Sequence, residues 1–276
     1  MLRRFAFACA LLVLLTLPRL TRADSAPLPF SLEAHKQNYF LFTWDFEPHD
    51  DRQDKEIKFQ LSIKKRLLEG TPLYAAYTQT AEWQWFNREQ SRPFRTQTHN
   101  PEIFLDTDLD EIWGGQPGLK LGGEHESNGQ STALSRSWDR LYAWPRITYA
   151  DWENLTISVK YWWRLPESKK KNPNDPNGDD NPDILEFMGH GELHFEQFSQ
   201  GANDALPYRR VALMLRKGIK AGTTSGQLDL DYNLHDMFST FTPGIYLHFQ
   251  YFYGYGESLS DYNRLVKKFG LGFSFY

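Results

Sequence analysis

Three residues in two neighbouring stretches of this chain could together form a nucleophilic catalytic centre. His125 and Ser127 are two positions apart, so their side chains would share one face of an extended strand. A hairpin centred near Thr132 would place Asp139 opposite His125 on the paired strand. A histidine can take the proton of a serine hydroxyl, and a carboxylate can hold the ring in the required tautomer. The pattern therefore favours a serine hydrolase.

The strand faces that would carry this trio are apolar. Leu119 and Leu121 share the face of His125, and Leu141 shares the face of Asp139. A catalytic trio on an apolar outer surface indicates an apolar substrate. The chain has no Gly-x-Ser-x-Gly elbow, which disfavours an α/β-hydrolase. His-x-Ser is a weak motif when taken alone, and its simpler interpretation is a polar surface pair near a loop.

The start of the chain is typical of a secretory leader. Two arginines precede an apolar run over residues 5–17, and small residues mark a cleavage site after Ala23. The run is shorter than the ~20 residues that a membrane-spanning helix needs. We predict a signal peptide over 1–23 and an N-terminal arm over 24–38. The single cysteine, Cys9, would leave with the leader, so the mature chain would hold no disulfide and no cysteine-based metal site.

Charge and composition narrow the class of protein. The net charge is −4, and loss of the four arginines of the leader would make it more negative, which argues against nucleic acid as a partner. Aromatic residues make up 16% of the chain, including 9 Trp and 14 Tyr, although the mean hydropathy is low. That combination favours an outer-membrane barrel, in which only alternate strand residues contact lipid. A secreted soluble β-protein is the alternative.

Strand-like alternation of apolar and polar residues recurs about twelve times, whereas helical periodicity is nearly absent. The segments are ~10 residues or longer, which is the length that a tilted membrane strand needs. An even number of strands lets a barrel close with no open edge facing lipid. We therefore predict an all-β fold, a 12-stranded antiparallel transmembrane β-barrel over residues 39–276, located in the cell outer membrane.

The connections are predicted to differ between the two ends of the barrel. Short turns near Asp151 and Gly222 are expected on one side, and long polar loops on the other. The predicted strands include 101–109, 119–127, 138–150 and 184–198, and the predicted loops include 88–100, 128–137 and 166–182.

The sequence His125-Glu126-Ser127-Asn128-Gly129, followed by Ser135-Arg136-Ser137-Trp138-Asp139-Arg140-Leu141-Tyr142, closely resembles the active-site hairpin of the outer-membrane phospholipase A family. The resemblance implies calcium-dependent hydrolysis of phospholipid and lysophospholipid acyl esters, of A1 and A2 type, at a lipid-facing site of a homodimer. Further stretches resemble the family in the same order along the chain: Tyr77-Thr78-Gln79, Ser91-Arg92-Pro93-Phe94-Arg95, Asp179-Asp180-Asn181-Pro182-Asp183-Ile184 and Gly254-Tyr255-Gly256-Glu257-Ser258-Leu259-Ser260-Asp261-Tyr262-Asn263.

The resemblance also implies roles for individual residues of the hairpin. Ser127 matches the nucleophile and His125 the base, and the backbone amide of Gly129 matches the oxyanion hole. Asp139 matches the third member of the triad, at a position where the family usually has asparagine. This chain therefore departs from the family pattern, and its carboxylate would stabilise the imidazolium more strongly than an amide.

Calcium ligands follow from the resemblance in the same way. One site of the family uses backbone carbonyls that match Gln130 and Ser135, together with a hydroxyl that matches Ser91 of the partner subunit. A second site uses two aspartates. Asp180 matches one of them, but the other position holds Thr132, so we expect this second site to be weakened or absent.

Gln79 supports self-association on separate grounds. It shares a strand face with Tyr77 and Trp83, and that face is expected to meet hydrocarbon. An amide in hydrocarbon is costly unless it finds a partner, and a second copy of the chain across a two-fold axis would supply one. The alternative is a glutamine that reaches the lipid headgroups.

Other interpretations remain open at the level of the sequence. His190, Glu192 and His194 share a strand face with a spacing that could bind a metal, although a polar lining of the lumen is the simpler explanation. A catalytically inactive barrel with a transport or structural role is the main alternative to an enzyme. A secreted β-sandwich esterase is a third.

Overall fold

The described residues form antiparallel strands joined by loops, two short α-helices and a 3₁₀ turn over Ala150–Trp152. The computed structural model describes residues 32–47, 52–131, 134–172, 175, 178–200, 206–241 and 244–275, so the predicted signal peptide and residues 24–31 of the predicted arm lie outside the described residues. In these ranges no helix is long and apolar enough to cross a membrane. The helices are α1 (Ile184–Met188) and α2 (Leu234–Met237), and the strands are β1 (Glu33–Ala34), β2 (Asn38–Asp45), β3 (Lys55–Arg66), β4 (Leu73–Trp83), β5 (Phe94–Asp108), β6 (Gln116–Ser127), β7 (Ser137–Tyr149), β8 (Leu155–Arg164), β9 (Gly191–Gln200), β10 (Pro207–Lys217), β11 (Thr224–Asn233), β12 (Ile245–Gly254) and β13 (Val266–Phe275).

The sheet closes on itself. Strands β2 to β13 each pair with their neighbours in chain order, and β2 also pairs with β13 along its whole length. The two-residue β1 pairs with the far end of β3, beyond the end of β2. The predicted 12-stranded antiparallel barrel is therefore confirmed, with its first strand beginning at Asn38.

The two faces of the barrel wall differ in polarity, because side chains alternate between them along each strand. The inner face carries charged groups, and the outer face carries a belt of exposed apolar side chains. This is the reverse of a soluble barrel and is the arrangement of an outer-membrane barrel. The belt includes Phe40, Phe42, Leu61, Ile103, Leu121, Leu141, Val159, Trp163, Leu215, Leu228, Tyr251 and Phe273.

Paired charges fill much of the lumen. The ammonium of Lys268 lies 3.4 Å from Glu56, 2.7 Å from Glu82 and 3.2 Å from Glu257. Lys58, which lies on β3, forms an ion pair with Glu257 at 2.8 Å. All of these side chains are buried, so each charge depends on its partners for stabilisation.

A loop residue closes this network at the end of the barrel where β13 begins. Asp261 accepts hydrogen bonds from Arg52 at 2.7 Å and Arg95 at 2.5 Å. Burial raises the pKa of the Asp261 carboxyl, but Arg95 and Arg52 lower it by more, so the pKa stays below its ordinary value. The carboxylate is therefore ionised at neutral pH and holds the loop between β12 and β13 over the lumen.

The last residues of the predicted arm enter the lumen and bond to opposite walls. Lys36 donates to Asn100 on β5 at 2.8 Å, and Gln37 donates to Asp231 on β11 at 2.7 Å. Two successive residues thus connect walls that lie on either side of β2. Lys36 and Gln37 are therefore part of the filling of the barrel.

The predicted strand over 184–198 is wrong in its first part. Ile184, Phe187 and Met188 are buried at helical spacing in α1, where they pack on an aromatic cluster inside the barrel. The helix ends at Gly189, whose φ of +64° favours glycine, and a Cβ there would lie 2.0 Å from the carbonyl oxygen of Lys217. The strand β9 begins only at Gly191.

Two details of the predicted loops are also wrong. The strand β5 begins at Phe94, so the predicted loop over 88–100 ends early. Thr96 and Asn100 face inward and His99 faces outward. Because both faces are polar here, apolar and polar residues do not alternate, and the strand cannot be recognised from its hydrophobic pattern. Because antiparallel strands alternate in direction, the turn near Gly222 lies at the same end as the β6–β7 loop, opposite the turn near Asp151.

Replacement of the central lumen cation should destabilise the barrel. Lys268→Met leaves three buried carboxylates with too little positive charge, and we expect a fall in the free energy of unfolding of ~3–5 kcal/mol. The measurement is urea unfolding in detergent micelles, followed by heat-modifiable gel mobility. Lys267→Met is the matched control, because Lys267 is exposed on the same strand. Equal stability of the two variants would contradict the role assigned to the lumen network.

Candidate active site

The pairing of β6 with β7 brings the predicted catalytic residues together. His125 lies opposite Asp139, and Ser127 lies opposite Ser137. The Nδ1 atom of His125 is 2.8 Å from Oδ1 of Asp139, which is a normal hydrogen-bond length. The cross-strand pairing expected from the sequence is therefore confirmed.

This pair lies on the outer surface of the barrel. The side chains of His125 and Asp139 are 47% and 51% exposed. The alternating residues, Glu124 and Arg140, point into the lumen and form an ion pair at 3.2 Å. One stretch of wall thus carries a structural ion pair inside and a histidine–carboxylate pair outside.

Ser127 is the last residue of β6 and faces outward with His125. Two residues on one strand face are separated by ~7 Å between Cα atoms, so their side chains are within reach of each other. In the part of the chain that the structure describes, no hydrogen bond joins the Ser127 hydroxyl to the His125 ring. Catalytic hydrogen bonds of this kind often tighten only when substrate is bound.

Gly129 begins the loop that follows the serine. Its φ of +65° lies in the left-handed region that favours glycine, and the residue is exposed. A Cβ at this position would lie 3.6 Å from the ring of His99 on the adjacent strand β5. The backbone of Gly129 therefore lies beside a second outward-facing histidine.

Asn128 holds the loop in shape, a role that the sequence analysis missed. Its buried Oδ1 accepts hydrogen bonds from the backbone amides of Gln130 at 3.2 Å and Arg136 at 2.9 Å. Its Nδ2 donates to the carbonyl of Leu134 at 2.8 Å. An asparagine directly after a strand is a recognised sequence signal for such a turn.

The predicted calcium ligands lie partly in this loop. Gln130 is exposed, and the carbonyl oxygen of Ser135 accepts a hydrogen bond from Arg136 at 2.6 Å. Ser91 lies in another loop, between β4 and β5, where it is exposed with a φ of +59°. No group of three or more His, Cys, Asp or Glu side chains in the described ranges is arranged to hold a metal. The predicted donors are instead carbonyl and hydroxyl oxygens, which suit calcium.

Asp180 forms an ion pair with a lysine side chain of the same chain. Its carboxylate lies 2.6 Å from the ammonium of Lys170 and accepts a hydrogen bond from the Ser135 hydroxyl at 2.5 Å. Thr132, the other position of the expected second calcium site, lies outside the described residues. Lys170 belongs to a polar loop whose sequence gave no sign of this pairing.

Gln79 faces outward on β4, between Leu61 of β3 and His99 of β5. Leu61 is 52% exposed, so the amide has an apolar, outward-facing neighbour on one side and a histidine on the other. Its nearest polar partner is the side chain of Gln97 at 3.5 Å, which is the outer limit of a hydrogen bond.

The histidine-rich segment of β9 contributes to the lumen. Glu192 pairs with Arg216 at 2.7 Å and with His194 at 3.1 Å. His194 also packs against the ring of Trp144. For Glu192 and His194 the predicted polar lining is confirmed.

The fold and site together define an outer-membrane β-barrel that presents a histidine–carboxylate pair and a serine to the lipid. A family profile described as Phospholipase A1 matches residues 19–275. The chain belongs to this family.

Individual relatives agree with this assignment. Phospholipase A1 of Escherichia coli is 30% identical over an alignment of 261 positions, which covers 88% of this chain and 81% of the relative. A putative phospholipase A1 of Neisseria meningitidis is 33% identical over 83% of this chain and 56% of its own length. Outer membrane phospholipase A from Escherichia coli superposes with a TM-score of 0.75 at 29% identity, covering 90% of this chain and 99% of that structure. The outer membrane phospholipase dimer of Salmonella typhi with bound calcium has the same TM-score at 27% identity, covering 91% and 94%.

Proposed function

We propose that this protein is a calcium-dependent outer-membrane phospholipase that hydrolyses acyl esters of phospholipids and lysophospholipids, of A1 and A2 type. The observation that carries the proposal is the 2.8 Å hydrogen bond between His125 and Asp139 on the lipid-facing surface, two residues from Ser127. Membership of the phospholipase A1 family supports the substrate class.

The three side chains suit a two-step acyl transfer. The Ser127 oxygen attacks the ester carbonyl carbon while its proton passes to Nε2 of His125, and the carbonyl electron pair moves to the oxygen. Asp139 accepts from Nδ1–H and stabilises the imidazolium. The C–O bond of the ester then breaks, and His125 returns the proton to the leaving alcohol. Water attacks the acyl-enzyme by the same route and releases the fatty acid.

The depth of the site in the wall fits an ester embedded in a bilayer. Ser127 ends β6, whereas Leu121 lies six residues further into the wall and is exposed to lipid. The acyl chain of a substrate would lie along Leu121 and Leu141, and its ester would reach the serine near the interface with the headgroups. Substrate thus arrives by lateral diffusion in the membrane.

We infer that calcium is held by the carbonyls of Gln130 and Ser135 and by the hydroxyl of Ser91 of the partner subunit. When bound, the ion supplies positive charge that supports the oxyanion beside the Gly129 amide. A homodimer is supported by the outward amide of Gln79, whose hydrogen bond within its own chain is 3.5 Å long and which would gain a partner across a two-fold axis. We also infer that residues 1–23 act as a secretion signal.

Ser127→Ala should abolish hydrolysis, because no other group in the hairpin replaces the attacking oxygen. We expect the rate of fatty-acid release from phospholipid in detergent micelles to fall at least ~1,000-fold. Ser137→Ala is the matched control, since Ser137 lies directly across the hairpin and should leave the rate within about twofold of the parent. Parent-like activity of Ser127→Ala would remove the proposed nucleophile, and an inactive parent would favour the transport or structural alternative.

Asp139→Asn should slow the enzyme without abolishing activity. A hydrogen bond to a charged partner is worth ~1 kcal/mol more than a neutral one, so we expect a decrease in kcat of about fivefold to tenfold and a changed pH profile. The measurement is kcat against pH for both proteins. An unchanged rate and profile would show that the carboxylate has no electrostatic role.

Calcium removal should stop hydrolysis, and excess calcium should restore it. Asp180→Asn should shift the calcium concentration for half-maximal rate by less than about threefold, because Lys170 already neutralises that carboxylate. The assay is fatty-acid release over a calcium titration, with dimer formation followed by chemical cross-linking. Full activity in excess chelator would contradict the calcium requirement, and a large shift for Asp180→Asn would contradict the view that Lys170 satisfies this carboxylate.

A further inference from the structure

A second histidine lies on the outer surface beside the proposed nucleophile. The register places His99 of β5 directly between Gln79 of β4 and Ser127 of β6, in one row across the wall. Residues paired in this way have Cβ atoms ~5 Å apart, so the His99 ring is a direct neighbour of the serine. The sequence analysis assigned no role to it.

The two nitrogen atoms of this ring have different surroundings. The hydroxyl of Tyr77 lies 2.6 Å from Nδ1, and the two rings stack with centroids 6.2 Å apart. Nε2 faces Gly129 and lies 3.6 Å from the position that a Cβ of that glycine would occupy. Within the described part of the chain, Tyr77 is the only side chain that hydrogen-bonds to the ring.

The direction of the hydrogen bond between Tyr77 and Nδ1 decides which ring nitrogen carries the proton. If the phenol O–H donates to Nδ1, the neutral ring must carry its proton on Nε2, next to the Gly129 backbone. His125, in contrast, has a carboxylate at Nδ1, which suits a ring that becomes positively charged during the reaction. The partners of the two histidines beside Ser127 therefore suit different roles: a neutral donor for His99 and a proton-accepting base for His125.

We propose that His99 is a second oxyanion donor, whose Nε2–H hydrogen-bonds to the ester carbonyl oxygen together with the Gly129 amide, and that Tyr77 is the residue that positions it. The inference rests on the proposed function. His99 keeps its proton throughout. It stabilises the negative charge that forms on the carbonyl oxygen when Ser127 attacks, while proton transfer runs through His125.

Three variants separate this role from a structural one. His99→Phe keeps an aromatic ring but has no donor, His99→Gln keeps an N–H donor, and Tyr77→Phe removes only the hydroxyl. We expect kcat to fall ~100-fold for His99→Phe with KM within about twofold, because the charge is present only in the transition state. His99→Gln should recover about tenfold of that loss, and Tyr77→Phe should lose about tenfold. The double variant of His99→Phe and Tyr77→Phe should be no slower than His99→Phe alone.

The assay is fatty-acid release at saturating calcium, with cross-linking to show that each variant dimerises and heat-modifiable mobility to show that it folds. The inference is overturned if His99→Phe keeps the parent kcat, if His99→Gln and His99→Phe are equally slow, or if only KM rises. It is also overturned if His125→Phe is less damaging than His99→Phe, since His99 would then be the base. A parent that is active and a Ser127→Ala variant that is inactive uphold the proposed function in each of these cases, whereas an inactive parent ends both.

Discussion

The structure depends on the pairing of β2 with β13, which closes the sheet. In a bilayer no water is available for an unpaired strand edge, so every backbone N–H and C=O of the wall must find a partner within the wall. Closure then divides all side chains into two sets, one facing lipid and one facing the lumen. The inner set must balance its own charge, and the outer set must be apolar unless a polar residue has a function. The histidine and aspartate of the β6–β7 hairpin are of interest because they violate the rule for the outer set.

The inner face supports this outer site through the shared backbone. Asn100 of β5 donates one hydrogen bond to Glu124 in the lumen at 3.3 Å and one to the carbonyl oxygen of His125 at 3.0 Å. Glu124 is in turn fixed by Arg140 and by Lys160 at 2.8 Å. The strand that presents His125 is thus held from behind by a buried charge network, which restricts its movement. A surface site gains in this way the rigidity that other hydrolases obtain from a cleft.

Much of the fold could be predicted from the sequence, because period-two alternation is a direct consequence of having lipid on one side of the wall. The strand count, the closure and the pairing of His125 with Asp139 follow from it. Alternation fails where both faces are polar, as at Thr96 and His99, and where buried residues have helical spacing, as at Ile184 and Phe187. Contacts that depend on how a loop folds, or on the register of several strands, could not be predicted. The pairing of Lys170 with Asp180 depends on how a long loop folds over the hairpin, and the placement of His99 beside Gly129 depends on the register of three strands.

The two residues that enter the lumen ahead of β2 affect what could pass through the barrel. Lys36 and Gln37 bond to facing walls, and lysine–glutamate clusters occupy the space beside them. Side chains bonded across the lumen in this manner narrow the path that ions or solutes could take through the barrel, in contrast to the water-filled channel of a porin.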